Sequence, residues 1–324
     1  MKDRLNYFRR IFKVYFSKET SYLKFWHEEP AVSEELVKYR LGPYYMTFAD
    51  KAAYVGPKDS DGVILFDYFF DIGRQYNPLA VAQYGLGYWN LYLKDRNKKN
   101  WSVVETQAKW LVKNLEENEA GLHVWKHKFR WHYKQYLEPG WFSAHSQGTG
   151  ISLLARVYLE TADDTYLKAA KKAFISLKTE IKNGGVKFVD SNHNVWLEEY
   201  LVHPPTHILN GFLWALWGVY DYWLLTKDES AKLLWDDCTL TLKKNLPKYD
   251  LGFWSKYDLS KQALSMIASH FYHKLHIVQL RATHILSGEK EFDLRAKKWE
   301  KYYHNFRYRL ASLLYKAVFK LIYF

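Results

Sequence analysis

From residue 78 onward the apolar positions fall into paired helical runs. The pattern predicts helices over 78–93 and 101–115, 144–160 and 165–181, 206–225 and 230–246, and 270–286 and 291–303. First members start near residues 78, 144, 206 and 269, a period of about 63 residues that marks an internal repeat. The first helix of each pair is apolar nearly all round, as in GISLLARVYL, GFLWALWGVYDYWLL and LHIVQLRATHIL, whereas the second carries charge, as in KAAKKAFISLK and SAKLLWDDC. An all-apolar helix is buried and a half-charged one faces water. The fold expected is therefore mainly α, an incomplete α/α toroid with the first helices inside. Between pairs, 124–133 and 186–196 alternate like β-hairpins, the second with a turn signal at Asp190-Ser191-Asn192. These connections all enter inner helices at their N-termini and should gather at one mouth. Unpaired N–H groups there suit a carboxylate.

Residues 1–77 read differently and are expected to pack on a 78–324 catalytic toroid. Residues 5–17 form a basic amphipathic pattern, with Phe8, Phe12, Tyr15 and Phe16 against Arg9, Arg10 and Lys13. Residues 41–76, with Pro43, Gly56, Pro57, Gly62 and Gly73, read as loops with short strands. A second amphipathic helix closes the chain, with Leu310, Leu313, Leu314, Ala317, Val318, Leu321 and Ile322 on one stripe and Arg309, Lys316 and Lys320 opposite. Such ends suit packing on the body, a homodimer contact or an anionic membrane surface.

Composition narrows the chemistry. Hydrophobic residues make up 48% of the 324, so the chain can bury a large core. Aromatics reach 19%, enough to line a carbohydrate groove as well as a core. The formal charge of +12 favours an anionic partner, but the lysines of 94–99 and 168–178 lie on outer helices, where solvation explains them better than nucleic acid does. The single Cys238 has no disulfide partner and reads as a buried thiol. No apolar run has the length of a signal peptide or membrane span, so the chain reads as cytoplasmic or peripheral at a membrane surface. No metal-ligand motif or phosphate loop is visible, and no cofactor is expected. What remains for proton chemistry is tyrosine: Tyr200, Tyr257 and Tyr272 each sit in a polar cluster at or just before an inner helix. A phenol, with a free pKa of about 10, needs tuning to act as acid or base.

Several segments carry a family resemblance. Tyr76-Asn77-Pro78-Leu79-Ala80 with Gln83-Tyr84-Gly85-Leu86, then LEPGWFSAHSQGTGISLLARVYLET (137–161), WLEEY (196–200), LNGFLWALWGVYDY (209–222), KYDL (256–259) and FYHKLHIVQL (271–280) resemble the helical domain of D-glucuronyl C5-epimerases, in the family's order. The resemblance implies inversion of C5 in D-glucuronic acid residues of an acidic polysaccharide, heparosan or a heparan-sulfate-like chain, to L-iduronic acid. It makes Glu199 and Tyr272 the facing proton carriers, with Tyr200 and Tyr257 as alternative carriers or organisers. Arg74, Lys256, His203 and His273 are available to tune a phenol or bind the carboxylate. Tyr76, Asn77, Gln83, Gln147 and Asn210 lie near inner-helix starts and are candidates for sugar contacts, although capping explains some of them equally well. Two departures stand out. The chain is too short for the β-rich region that precedes this domain in the animal enzymes, and Ser260, then Lys261, follows Tyr-Asp-Leu where the family tends to place arginine.

Three other functions fit parts of the pattern. A uronate lyase would use the same proton abstraction and then expel the C4 oxygen. A glycoside hydrolase needs two carboxylates about the scissile bond, and Glu138, Glu198 or Glu199 with Asp258 are the candidates. A non-catalytic acidic-glycan binder would need the aromatics but neither Glu199 nor the phenols.

Overall fold

The computed structural model describes residues 25–68 and 72–323; the helix expected over 5–17 lies outside them. Four antiparallel helix pairs dominate: α2 (Pro78–Asp95) with α3 (Lys98–Lys113), α4 (Ala144–Thr161) with α5 (Asp164–Lys178), α6 (Leu209–Thr226) with α7 (Glu229–Asn245), and α8 (His270–Ser287) with α9 (Lys290–His304). A short helix α1 (Ala49–Ala52) precedes them and α10 (Phe306–Tyr323) follows. The inner helices pack in order, α2 on α4, α4 on α6, α6 on α8, with α3, α5, α7 and α9 outside. This is the incomplete α/α toroid that the repeat predicts.

One local device makes all four pairs. Each inner helix stops on a left-handed residue, Arg96, Ala162, Lys227 or Gly288. The next residue then precedes the outer helix, and Asn97, Asp163 and Asp228 cap it through a side-chain oxygen. Three of the four left-handed residues are not glycine, each accepting roughly 1 kcal/mol of backbone cost. Asn77, Ser143 and Ser269 cap inner helices in the same way, Asn77 with Pro78 following at the first helical position.

The closest inner contact is between α4 and α6. A Cβ on Gly148 would lie 2.6 Å from the Ala215 Cα, and one on Gly218 would lie 2.2 Å from the Gly148 carbonyl oxygen. These glycines let two backbones touch. About two turns further along α4, Arg156 is fully buried and pairs with Asp221 on α6 at 2.7 Å. Its other protons go to the carbonyls of Ser152 (2.8 Å) and Gly42 (3.1 Å), and the Tyr45 hydroxyl donates to Asp221.

Gly42 and Tyr45 belong to the segment 25–68, which runs between the first and last inner helices. It holds α2 through Trp89 Nε1 to the Gly42 carbonyl and Asn90 to the Tyr44 amide. It meets α6 through the Tyr220 hydroxyl, and α8 through Lys38 to the Ser287 carbonyl and a Glu29–Lys274 ion pair.

Four two-stranded antiparallel hairpins fill the connections: β1 (Phe66–Tyr68) with β2 (Gly73–Gln75), β3 (Leu115–Glu117) with β4 (His123–Trp125), β5 (Trp131–Tyr133) with β6 (Gln135–Leu137), and β7 (Lys187–Val189) with β8 (Val195–Leu197). The last is the hairpin expected over 186–196. The stretch 124–133 is not one hairpin but parts of two. Asn118 accepts from the Ala120 and Leu122 amides, and Gly121 is left-handed. That tight turn pairs Val124 back onto Glu116, leaving 131–133 to pair forward with 135–137. Helix α10 packs on α9 and leaves Leu310, Leu313, Leu314, Leu321 and Ile322 exposed. Among the described residues no helix is long and apolar enough to cross a membrane.

Arg156→Met removes one partner of a buried charge pair, which costs about 3–5 kcal/mol. Urea unfolding of the variant should show that loss, and the double replacement Arg156→Met/Asp221→Leu should recover part of it.

Candidate active site

A cleft of about 240 Å³ opens where the N-terminal ends of all four inner helices meet. Asn77, Leu79 and Gln83 come from the start of α2, Ser143, His145 and Ser146 from α4, Asn210 and Trp214 from α6, and Phe271 and Tyr272 from α8. The connections add His127, Phe129, Trp131 and Trp141, together with Glu199 and Tyr200. The N-terminal segment contributes Trp26, His27, Lys51 and Tyr68.

Glu199 is the one carboxylate lining this cleft among the described residues. It is 7% exposed. Burial pushes its carboxyl up to about 8; the Tyr200 hydroxyl opposes this and the neighbouring Glu198 charge adds to it. Asn210 Nδ2 reaches its Oε2 at 3.4 Å. A Cβ on Gly211 would stand 2.1 Å from the same oxygen, so glycine is what leaves room for the carboxyl. Around it lies a cluster of phenols. Tyr133 stacks on Tyr200 (4.5 Å), and Tyr257 meets Tyr272 edge-on (5.0 Å). Burial first, then the Glu199 charge, pushes Tyr200 and Tyr257 well above the ordinary phenol value. They rest as neutral proton donors. The lowering of a tyrosine pKa by neighbouring cations, expected from the sequence, does not occur for these two.

The walls are aromatic. His127 stacks on Trp141 at 3.7 Å and 5°, and His145 on Trp214 at 4.4 Å and 11°. Burial holds His127 near 3 and His145 well below the usual imidazole range, so both rings are neutral. His127 Nε2 meets the Ser146 hydroxyl at 3.1 Å, while its Nδ1, His145 Nε2, Asn210 Oδ1 and Trp214 Nε1 have no hydrogen-bond partner among the described residues. Gln83, 1% exposed, lines the same cleft. Leaving a buried polar atom unpaired costs roughly 1–3 kcal/mol each. So many at one cleft mark a place for a polar ligand.

Of the residues expected here, Glu199, Tyr200, Tyr272, Asn77, Gln83 and Asn210 line the cleft. Asn77 also caps α2 and donates to the Tyr68 hydroxyl at 2.7 Å. Tyr257 lies one layer behind, against Tyr272. The remaining expected binders are elsewhere. Arg74 is an exposed partner of Asp67 on the β1–β2 hairpin, and Tyr76 donates to Asp59 beside Trp110. The Gln147 amide holds the Trp125 backbone. His203 is exposed and uses its carbonyl to accept from Gln135. Lys256 is half-buried in a backbone bridge to Ile267. His273 is fixed between Ser255 Oγ and the Trp299 carbonyl and stacks on Trp254. Each has a partner that holds it away. Lys51, His127, His145, Trp131, Trp141, Trp214 and Tyr68 were not singled out. Trp141 and His145 stand in the 137–161 stretch, but nothing local marks Lys51.

Ser260, the departure from the family's arginine, has a cation beside it all the same. Lys134, left-handed at the tip of β5–β6, reaches Ser260 Oγ and lies 3.0 Å from Asp258. Asp258 accepts from the Tyr133 hydroxyl at 2.7 Å and from Ser260 Oγ at 2.6 Å. The other hydrolase candidates are also occupied: Glu198 by His207 (2.5 Å) and Glu138 by Arg130 (2.9 Å). Among the described residues no cluster of His, Cys, Asp and Glu is placed to hold a metal.

The fold is that of the α/α toroids. It resembles a UGL variant carrying dGlcA-Glc-Rha-Glc (TM-score 0.50, 12% identity, 69% of this chain and 61% of that one). It also resembles a D-mannose isomerase (TM-score 0.51, 9% identity, 78% and 67%). At such identities these likenesses carry the architecture alone. Sequence goes further: the pattern of the D-glucuronyl C5-epimerase C-terminus matches residues 118–301, and the chain belongs to that family. It is 32% identical over 222 residues to the D-glucuronyl C5-epimerase of Caenorhabditis elegans, covering 64% of this chain and 36% of that protein. It is 27% identical over 244 residues to an uncharacterized protein of Methanocaldococcus jannaschii, covering 70% and 78%. The chain thus spans about a third of the length of the curated C. elegans relative.

The raised Glu199 carboxyl has a consequence for stability. Unfolded, it ionises from the ordinary 4.5; folded, it holds its proton to about 8. Its contribution is therefore complete below 4.5 and is lost as pH rises to 8. Glu199→Gln should be as stable as the parent at pH 4 and more stable at pH 8.5 by about 2–4 kcal/mol, read from thermal unfolding at both.

Proposed function

We propose that the protein is a polysaccharide epimerase that inverts C5 of D-glucuronic acid residues to L-iduronic acid by proton removal and return. The observation that carries this is the pairing of one buried, strongly basic carboxylate, Glu199, with neutral phenols in a single aromatic cleft. The C5 proton lies next to a carboxylate and is only weakly acidic, so a base with a raised pKa is needed to take it. Burial gives Glu199 that strength. The C5–H electron pair becomes a double bond between C5 and the carboxyl carbon, the carboxylate π pair moves onto oxygen to give an enediolate, and Glu199 takes the proton and becomes neutral. Tyr272 then donates its phenolic proton to C5 from the other face, and the phenolate recovers a proton from Glu199 or solvent. Tyr200, coupled to both, organises the pair. The stacked walls of His127–Trp141 and His145–Trp214 suit the apolar faces of sugar rings.

The absence of a second free carboxylate in the cleft, among the described residues, weighs against glycoside hydrolysis, which needs two. A lyase shares the first proton transfer and differs only in expelling the C4 oxygen.

Heparosan incubated with the protein in D₂O should acquire deuterium at C5 and accumulate iduronate by NMR, with no absorbance from unsaturated uronate. Glu199→Gln and Tyr272→Phe should each lower the exchange rate by about 100-fold or more, the range of lost acid–base catalysis. Because Glu199 accepts a proton only when ionised, kcat/KM should rise with pH and level off above about 8. Unsaturated product would make the protein a lyase. Exchange undiminished in Glu199→Gln would remove Glu199 from the mechanism.

A further inference from the structure

Outside the carboxylate and phenols, the cleft holds one group with no assigned task. Lys51 is its one lysine or arginine among the described residues. It is 2% exposed, an unusual place for an ammonium. It stands in the N-terminal segment, far in sequence from every motif of the family's helical domain. Its Nζ donates to the Phe25 carbonyl at 2.6 Å and lies over the rings of Phe25 (4.5 Å) and Phe48 (5.2 Å). Glu28 is its ionic partner at 3.7 Å, beyond hydrogen-bond reach, and Glu28 Oε2 has no hydrogen-bond partner among the described residues. An ammonium has three protons to give. One is placed, and Glu28 takes none at hydrogen-bond distance.

We propose that Lys51 is the specificity-determining cation of the cleft, binding the carboxylate of the uronate and leaving neutral sugars unrecognised. The inference rests on the epimerase reading and adds to it the residue that receives the substrate's charge. A buried ammonium with an unfilled donor attracts an anion far more strongly than an exposed one, because little water screens it. The same contact serves the reaction. Charge that flows from C5 into the carboxyl group on proton loss comes to rest beside a fixed positive group. Neutral His145 lines the same cleft. Glu28 holds the ammonium in place through its charge and stops short of saturating it. Burial pushes Glu28 up to about 7 and pulls Lys51 down, and the attraction between the two charges opposes both shifts.

The test uses the full chain and two probes: a heparosan octasaccharide and the same octasaccharide after carboxyl reduction, which turns each glucuronate into glucose. Titration calorimetry gives the affinity for each. The parent should prefer the acid form, and Lys51→Met should weaken acid binding by about 10- to 100-fold, the value of one charge-assisted contact, with the reduced form unaffected. A merely structural role would lower the melting temperature and weaken both probes alike. Glu28→Gln, which keeps the lysine and frees its charge, should strengthen acid binding several-fold; it reads the same contact should Lys51→Met not fold. Acid preference unchanged in both variants overturns the proposal. Deuterium exchange at C5 by the parent is measured in parallel. Exchange with unchanged preference leaves the epimerase standing without Lys51, and lost preference without exchange leaves an acid-binding lysine in a protein that is not an epimerase.

Discussion

The structure depends on a buried ion pair that sits away from the chemistry. Arg156 and Asp221 join α4 to α6 just beyond the glycine contact at Gly148 and Gly218. A fully buried pair of this kind is tolerable only when its remaining protons and lone pairs are satisfied. Here the protein satisfies them with the Gly42 carbonyl and the Tyr45 hydroxyl, both from the N-terminal segment. The toroid is incomplete, and this segment occupies the gap between α2 and α8 where a further helix pair would stand. The ion pair therefore does more than hold two helices. It fixes the segment that brings Trp26, His27, Lys51 and Tyr68 to the cleft.

Periodicity carries the helix pairs because inner and outer helices meet different solvents, and that difference is written in every residue of each helix. The ends are less legible. Arg96, Ala162 and Lys227 turn the chain in a left-handed conformation that glycine usually supplies, so the sequence shows no punctuation there. Of the thirteen residues expected at the site, six line the cleft and seven stand elsewhere. Gln147 and Asn210 both lie in first turns, yet Gln147 faces the Trp125 backbone and Asn210 faces Glu199. Which way a first-turn side chain faces is set by neighbours distant in sequence. Lys51 is the extreme case. Its burial arises from Phe25, Phe48 and Glu28 closing round it, a result of packing and not of any local pattern.

The corner at Ser260 shows how a motif can change while its electrostatics persist. Where the family's pattern expects a cation in sequence, Lys134 supplies one in space from the tip of β5–β6. Its charge allows Asp258 to remain buried, and Asp258 in turn holds the Tyr133 hydroxyl whose ring stacks on Tyr200. The cation thus acts on the phenol cluster through two intermediates. In the sequence, serine in place of arginine reads as a loss of charge. In the structure Lys134 places a cation beside that serine.

Burial acts on the acid and the phenols in one direction and so gives them opposite tasks. A carboxyl raised to about 8 becomes a better base and still ionises near neutrality. Phenols raised well above 10, as Tyr200 and Tyr257 are, become poorer bases and remain protonated. For one proton shared between Glu199 and such a phenol, the arrangement with the carboxylate ionised is the favoured one. On the proposed roles, the cleft is therefore set for removal of a proton on the Glu199 side and delivery from the phenol side. Running backwards it would have to start from the disfavoured arrangement, a phenolate facing a protonated Glu199. An epimerase working in both directions needs that gap narrowed, and the Glu199 charge, which raises the phenols, works against it. Under the proposed mechanism, the burial that makes Glu199 a usable base thus biases the site towards the direction in which Glu199 acts first.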